Sequence, residues 1–237
     1  MLYWQREMSR FESREEKSMA MFSRHNRSFE ETDWTGKPMS EEEYHELEEI
    51  SPERKYEYIK GVAYMLSGGS IEHDQITYNT RVALTRRLRA GPCRVFGADV
   101  QVLLGQKKNG KAHFVYPDAT VSCNAADQRR GNTLVENPRV VVEVLSPSTE
   151  ARDRGIKFKA YQRCPTIQEI VLVNQYVPYV EVWQRNDEQP DNPKAWHYRH
   201  YGPGEEIELF SLNIRLAMAE IYQDLDFAED EEEDDEE

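Results

Sequence analysis

Cysteine is scarce in this sequence, with three among 237 residues. Cys93, Cys123 and Cys164 are widely spaced and form no C-x-x-C pair. Neither a zinc site nor a disulfide framework is therefore expected. Long apolar runs are also missing. No stretch approaches the roughly 18 apolar residues that would suggest a membrane span. The N-terminal MLYWQREMSRFESREEK lacks the apolar centre of a signal peptide. Together with the odd cysteine count, this leads to the expectation of a reducing, cytoplasmic location. Positive charge is in deficit too: 44 acids face 30 Lys and Arg, for a formal charge of −14. Taken whole, that figure argues against a nucleic-acid partner. However, residues 229–237 read EDEEEDDEE. Removing their nine charges from −14 leaves −5, so the body is only mildly acidic.

The remaining pattern divides the chain into three. Residues 1–36 have mixed charge and no sustained period, and read as a mobile extension. Residues 37–227 carry the periodic segments and form the expected domain. Residues 228–237 read as a disordered acidic tail. Ser40 through Glu43 form a capping box opening a helix that stops near Pro52. Residues 56–66 read as a strand or a hairpin about Gly61. A helical period runs from Ile71 to Arg89, ended by Gly91-Pro92. Strand patterns follow at 94–104 and 112–122, joined by a turn at Asn109-Gly110. Residues 139–145 (RVVVEVL) read as a buried central strand. Ser146-Pro147-Ser148-Thr149 opens a helix to about Arg163. Strands are expected at 169–174, 179–184, 195–201 and near 207–210, then a helix at 216–224. This order implies an α/β or α+β sandwich around a mixed sheet. About 190 residues bury enough surface to fold without metal or disulfide.

Two motifs are decoys. Gly105 through Lys111 matches the first seven positions of a phosphate loop, but Ala112 replaces the required Ser or Thr. A strand also follows where a helix should, so no helix N-terminus is offered to phosphate. His197 and His200 lie three apart in a strand pattern and point to opposite faces. His25, His45 and His113 have no evident partner. His73 stands apart because it opens the arginine-bearing helix after Gly68-Gly69.

Carboxylates carry the stronger signal. Asp118 follows Pro117 within a strand pattern, where proline marks an edge or bulge. Glu143 interrupts an apolar strand, and a buried carboxylate must be paired, protonated or bound to a cation. Its partner is either a metal or a buried arginine. Asp153 and Lys157 are spaced i, i+4 on the next helix. They form either a surface ion pair or a lysine reaching back towards Glu143.

The combination of Pro117-Asp118, Glu143 through Thr149, Asp153, Lys157 and Tyr161 resembles the Uma-two family of predicted restriction endonucleases, within the PD-(D/E)XK nuclease superfamily. Tyr56 through Gly61, His73 and the strand at 169–173 match it as well, so the resemblance covers about residues 38–222. It implies a restriction-endonuclease-like core and magnesium-dependent hydrolysis of DNA phosphodiesters, with manganese able to stand in. It implies Asp118, Glu143, Glu57 and the Val144 carbonyl as metal ligands, and Lys157 as the catalytic lysine. Lys159 is the fallback, because Leu145 occupies the lysine position of the usual motif. His73 is an accessory candidate. Arg81, Arg86, Arg87, Arg152 and Arg154 are candidate DNA contacts. Lys107, Lys108 and Lys111 are a candidate clamp. A homodimer is compatible with cutting both strands. Leu145 also motivates an alternative, an inactive DNA-binding or protein-interaction module.

Overall fold

The computed structural model describes residues 33–105, 112–186, 188 and 195–227. Most of the N-terminal extension, the lysine-bearing tip at 106–111 and the acidic tail lie outside these residues. The fold starts with α1 (Glu41–Ile50), whose N-cap Ser40 accepts from the Glu43 amide while Glu43 accepts from the Ser40 amide. This is the capping box written in the sequence. Then come β1 (Tyr56–Ile59), β2 (Val62–Met65), α2 (Ile71–Leu88), β3 (Arg94–Gly97), β4 (Gln101–Leu104), β5 (His113–Val115), β6 (Ala119–Ser122), β7 (Leu134–Val135) and β8 (Val140–Leu145). After β8 the chain forms α3 (Glu150–Arg152), a π turn (Asp153–Lys157) and α4 (Phe158–Arg163). It finishes with β9 (Glu169–Asn174), β10 (Val180–Arg185), β11 (Trp196–Tyr201), β12 (Glu206–Leu209), β13 (Ile214–Ala217) and α5 (Met218–Ile221).

The expected α+β architecture with mixed sheet is present, but the strands divide between sheets. One sheet has the order β2-β1-β5-β4-β7, the other β11-β10-β9-β8-β6-β3, and β12-β13 form a ribbon. The 94–104 segment therefore contains two strands in different sheets, not one. The 112–122 segment splits likewise at Pro117, which has no amide to continue a ladder. As a result Asp118 sits where the chain crosses from one sheet to the other. The short β7, which pairs in parallel with β4, has too little pattern to be read from sequence.

The β8 strand is central and wholly buried. Its alternate residues serve two cores. Val140, Val142 and Val144 pack with Ile76 and Leu84 of α2. Val141 and Leu145 face Tyr161, Ile59, Val102 and Val115, between the sheets. Glu143 lies on this second face, by the period of two.

Two expectations need correction. The 216–224 helix is mostly absent: residues 214–217 pair with 206–209, and only Met218–Ile221 is helical. Asn213, in the left-handed region at φ 53°, closes that hairpin and supplies the turn that the helical reading overlooked. Second, Cys93 and Cys123 form a disulfide. Arg94 pairs with Ser122 across β3 and β6, so the next residues out are brought face to face. Only the strand pairing reveals this, since 30 residues separate the two in sequence. Cys164 is free and buried. One thiol should therefore react with a thiol reagent in denaturant without reductant, and three after reduction. Three reactive thiols without reductant would refute the bond.

Candidate active site

The site is built where the two sheets meet. Glu57 comes from β1 and is 1% exposed. Glu143 comes from β8, and Asp118 lies directly before β6, whose Ala119 pairs with Val142. The antiparallel register thus brings Asp118 beside Glu143. Asp118 Oδ2 accepts from the Val144 amide at 2.7 Å, and His73 Nε2 lies 3.4 Å from the same oxygen. His73 is also hydrogen-bonded to the Val144 backbone. Because an imidazole N–H donates, the acceptor is the Val144 carbonyl. Its bond to Asp118 raises the His73 pKa against the opposing effect of burial.

Lys157 is the centre of the cluster. Its Nζ is 2.7 Å from Glu143 Oε1, 2.9 Å from Glu57 Oε1 and 3.1 Å from Asp153 Oδ1. Its side chain is 4% exposed. The π turn explains this convergence. One extra residue in the turn rotates the downstream helix by about 100° relative to a regular one. Asp153 and Lys157 both face inward and are buried, and Tyr161 below them donates to Glu143 Oε1. The Phe158 amide reaches back to the Asp153 carbonyl, five residues away. Glu57 Oε1 additionally accepts from the Tyr116 amide at 3.1 Å. The Tyr116 hydroxyl donates to Glu48 at 2.7 Å, and Gln101 Nε2 bonds Tyr44, Tyr116 and Glu48. A polar network from α1 thus buttresses β1.

Charged groups are crowded in this cluster. Glu57, Asp118, Glu143 and Asp153 face two permanent cations, Lys157 and Arg152. Burial pushes the Glu143 pKa well above the usual carboxylate range; Lys157 pulls it down, and Asp153, Asp118 and Glu57 push it further up. For Lys157, burial opposes the charged form, but Glu143, Glu57, Tyr161 and Asp153 outweigh it and hold its pKa well above the ordinary value.

Other buried acids show by contrast what is unusual here. Glu169 accepts from the Phe210 and Ser211 amides and the Ser211 hydroxyl. Asp127 accepts from the Ser122 hydroxyl and the Glu136 and Asn137 amides. Those two fasten loops. In the cluster, Glu57 Oε2 is buried and makes no hydrogen bond.

Among the described residues, no three His, Cys, Asp or Glu side chains surround one point closely enough to hold a metal ion as they stand. Lys157 occupies the point where three carboxylates meet. The donor chemistry nevertheless fits a hard divalent cation. It offers carboxylate oxygens from three chain segments and the unpartnered Glu57 oxygen.

The structure thus brings together Glu57, Asp118, Glu143, Val144, His73 and Lys157. Lys159 is exposed and has no part in the cluster. Asp153 and Tyr161 belong to it as well, holding Lys157 and Glu143 in place. Two arginines expected to meet DNA are engaged elsewhere. Arg87 bonds Glu220 and the Arg215 carbonyl, and Arg154 bridges Glu150 and Glu181. Arg81 packs against Gly97, where an added Cβ would meet its guanidinium at 2.5 Å. Arg86 is exposed.

The profile of the Uma2 family, described as "Putative restriction endonuclease", matches residues 41–219. The chain belongs to this family. Its relatives include the uncharacterized protein slr1290 of Synechocystis sp., 33% identical over 80% of this chain and 94% of that protein. A second, sll1609 of the same organism, is 28% identical over 64% of this chain and 83% of its own length. A solved structure described as a "putative nuclease belonging to DUF820", from Anabaena variabilis, shares the fold with a TM-score of 0.55 at 17% identity. That likeness covers 71% of this Uma2 chain and 90% of the other. The family's description makes a nuclease the coarse description of this protein. No helix among the described residues is long and apolar enough to cross a membrane.

Proposed function

We propose that this Uma2 chain is a divalent-metal-dependent endonuclease that hydrolyses DNA phosphodiesters. The observation carrying this reading is the carboxylate–lysine cluster at the junction of the sheets, where Glu57, Asp118 and Glu143 arrive from three separate segments beside one lysine. Glu57, Asp118, Glu143 and the Val144 carbonyl are the groups that would hold the ion. Magnesium, or manganese in its place, supplies Lewis acidity to the phosphate and acidity to a bound water. Lys157 keeps Glu57, Glu143 and Asp153 together. Tyr161 orients Glu143, and the Val144 amide and His73 fix Asp118. Arg81 and Arg86 extend the basic surface towards a phosphate backbone. Cleaving both strands of a duplex calls for two copies of the chain.

The inactive-module alternative rested on Leu145 in the usual lysine position. It loses support because Lys157 reaches Glu143 from the following helix. The test is cleavage of supercoiled plasmid and of single-stranded DNA with magnesium. Asp118→Ala and Glu143→Gln should each lower the rate about 10³-fold, the scale of removing one group from a catalytic constellation. No metal-dependent cleavage, or equal rates in the variants, would overturn the reading.

A further inference from the structure

Two polar atoms at the site are buried without a hydrogen bond, and they face each other. Glu57 Oε2 and Arg152 Nη1 are both unpartnered and lie 3.8 Å apart. That separation is an ion pair but too long for a hydrogen bond. Leaving both unmet is costly inside a protein, so each is held in place by other contacts. Glu57 is anchored through its other oxygen by Lys157 and the Tyr116 amide. Arg152 lies over the Tyr64 ring, 5.3 Å from its centroid, and Tyr64 pairs with Glu57 across β1 and β2. The ring restrains the guanidinium plane without using its N–H donors.

Neighbouring cations differ. Lys157 is committed to three carboxylates and is 4% exposed. Arg154 is committed to Glu150 and Glu181. Arg152 has its unpartnered Nη1 turned inward to Glu57, while its side chain as a whole is 18% exposed, close to the 16% of Asp118 and 17% of His73. These three stand nearer to solvent than the Lys157 cluster beneath them. Their depth is right for a group that meets substrate.

We infer that Arg152 is the phosphate-binding residue of this site, its guanidinium taking a non-bridging oxygen of a nucleic-acid phosphodiester. The inference rests on the nuclease reading and deepens it, because it moves the substrate-facing positive charge from Lys157 to Arg152. Lys157 is then a positioning residue. A planar fork suits a phosphate better than a point charge does, and the long contact to Glu57 restrains Arg152 only weakly before substrate arrives.

The test measures binding of a fluorescent DNA of about 20 nucleotides to the full chain in chelator, between about 50 and 200 mM salt, in parallel with cleavage. Arg152→Gln should weaken binding equally for unrelated sequences and flatten the salt dependence by about one phosphate contact. It should lower kcat/KM about 10²-fold. Arg152→Lys keeps the charge opposite Glu57, so it should fold normally, keep the salt slope and recover part of kcat/KM. Arg215→Gln, on a residue 63% exposed in the β12–β13 ribbon, should change neither. Inorganic phosphate competing with DNA for wild type but not for Arg152→Gln would mean that the site also takes free phosphate, and would support the assignment. A folded Arg152→Gln with unchanged salt slope and kcat/KM would overturn it and leave Arg152 as a structural partner of Glu57. If wild type cleaves nothing while Arg152→Gln still flattens the slope, the nuclease reading fails and the phosphate site stands.

Discussion

Replacing Lys157 with methionine is expected to destabilise the protein by about 3–5 kcal/mol, the usual cost of removing one partner from a buried ionic cluster. For a domain of this size that is a fall in Tm of about 6–20 °C. Methionine keeps the aliphatic volume, so the loss reports the charge. Without the ammonium, Glu57, Glu143 and Asp153 are left close together and nearly without solvent. The double variant Lys157→Met/Glu57→Gln should recover part of the loss, because the residues share one network. A Lys157→Met protein melting within a degree of wild type would show that the cluster contributes nothing to the fold.

The same groups set a pH dependence. The Lys157 pKa is raised in the folded state, so its contribution is complete below the unfolded value of about 10.4 and is lost as pH rises through the folded value. The Glu143 pKa is also raised. The folded state then binds more protons than the unfolded one, and this residue's contribution declines as pH rises above about 4.3. In Lys157→Met the downward pull on Glu143 is gone. Its deficit should be smallest near about pH 5 and largest near about pH 8, read from thermal melts at the two values.

Much of this site could be seen in the chain alone, for physical reasons that differ by residue. Glu143 stands out because five apolar neighbours in its strand leave a carboxylate no ordinary place. Asp118 is marked by Pro117, which breaks the ladder and lets the chain change sheets. Glu57 has no such signature; its surroundings, YEYIKG, would suit any strand, and only the family resemblance drew attention to it. Asp153 and Tyr161 were visible as motif letters. Their roles depend on a π turn, which arises from packing and leaves no period in the sequence. The Cys93–Cys123 pair depends in the same way on β3 lying against β6. The 216–224 segment misled because LAMAEIYQD has helical spacing, whereas pairing with residues 206–209 determines what its first residues do. Local pattern located the elements and the misplaced charges. Convergence of groups from β1, β8 and the helix after it is a tertiary property.

Divalent cations should stabilise the wild-type protein. At a magnesium concentration about 100 times the dissociation constant, binding to the folded state alone adds about 2.7 kcal/mol, a rise of about 5–10 °C in Tm. Calcium, another hard cation for oxygen ligands, makes the melt independent of cleavage. Asp118→Asn should abolish the shift, since it removes a carboxylate whose place is fixed by the Val144 amide without disturbing Lys157. Lys157→Met should show a larger shift than wild type. With the ammonium gone, the ion would offset the carboxylates that Lys157 had held, so the variant that loses most stability should regain most on adding metal. A melt indifferent to magnesium and calcium, or one that moves equally in wild type and Asp118→Asn, would show that these carboxylates do not hold the ion. A smaller shift in Lys157→Met than in wild type would instead show that the lysine helps to build the site that the ion occupies, by keeping Glu57 and Glu143 in place for it.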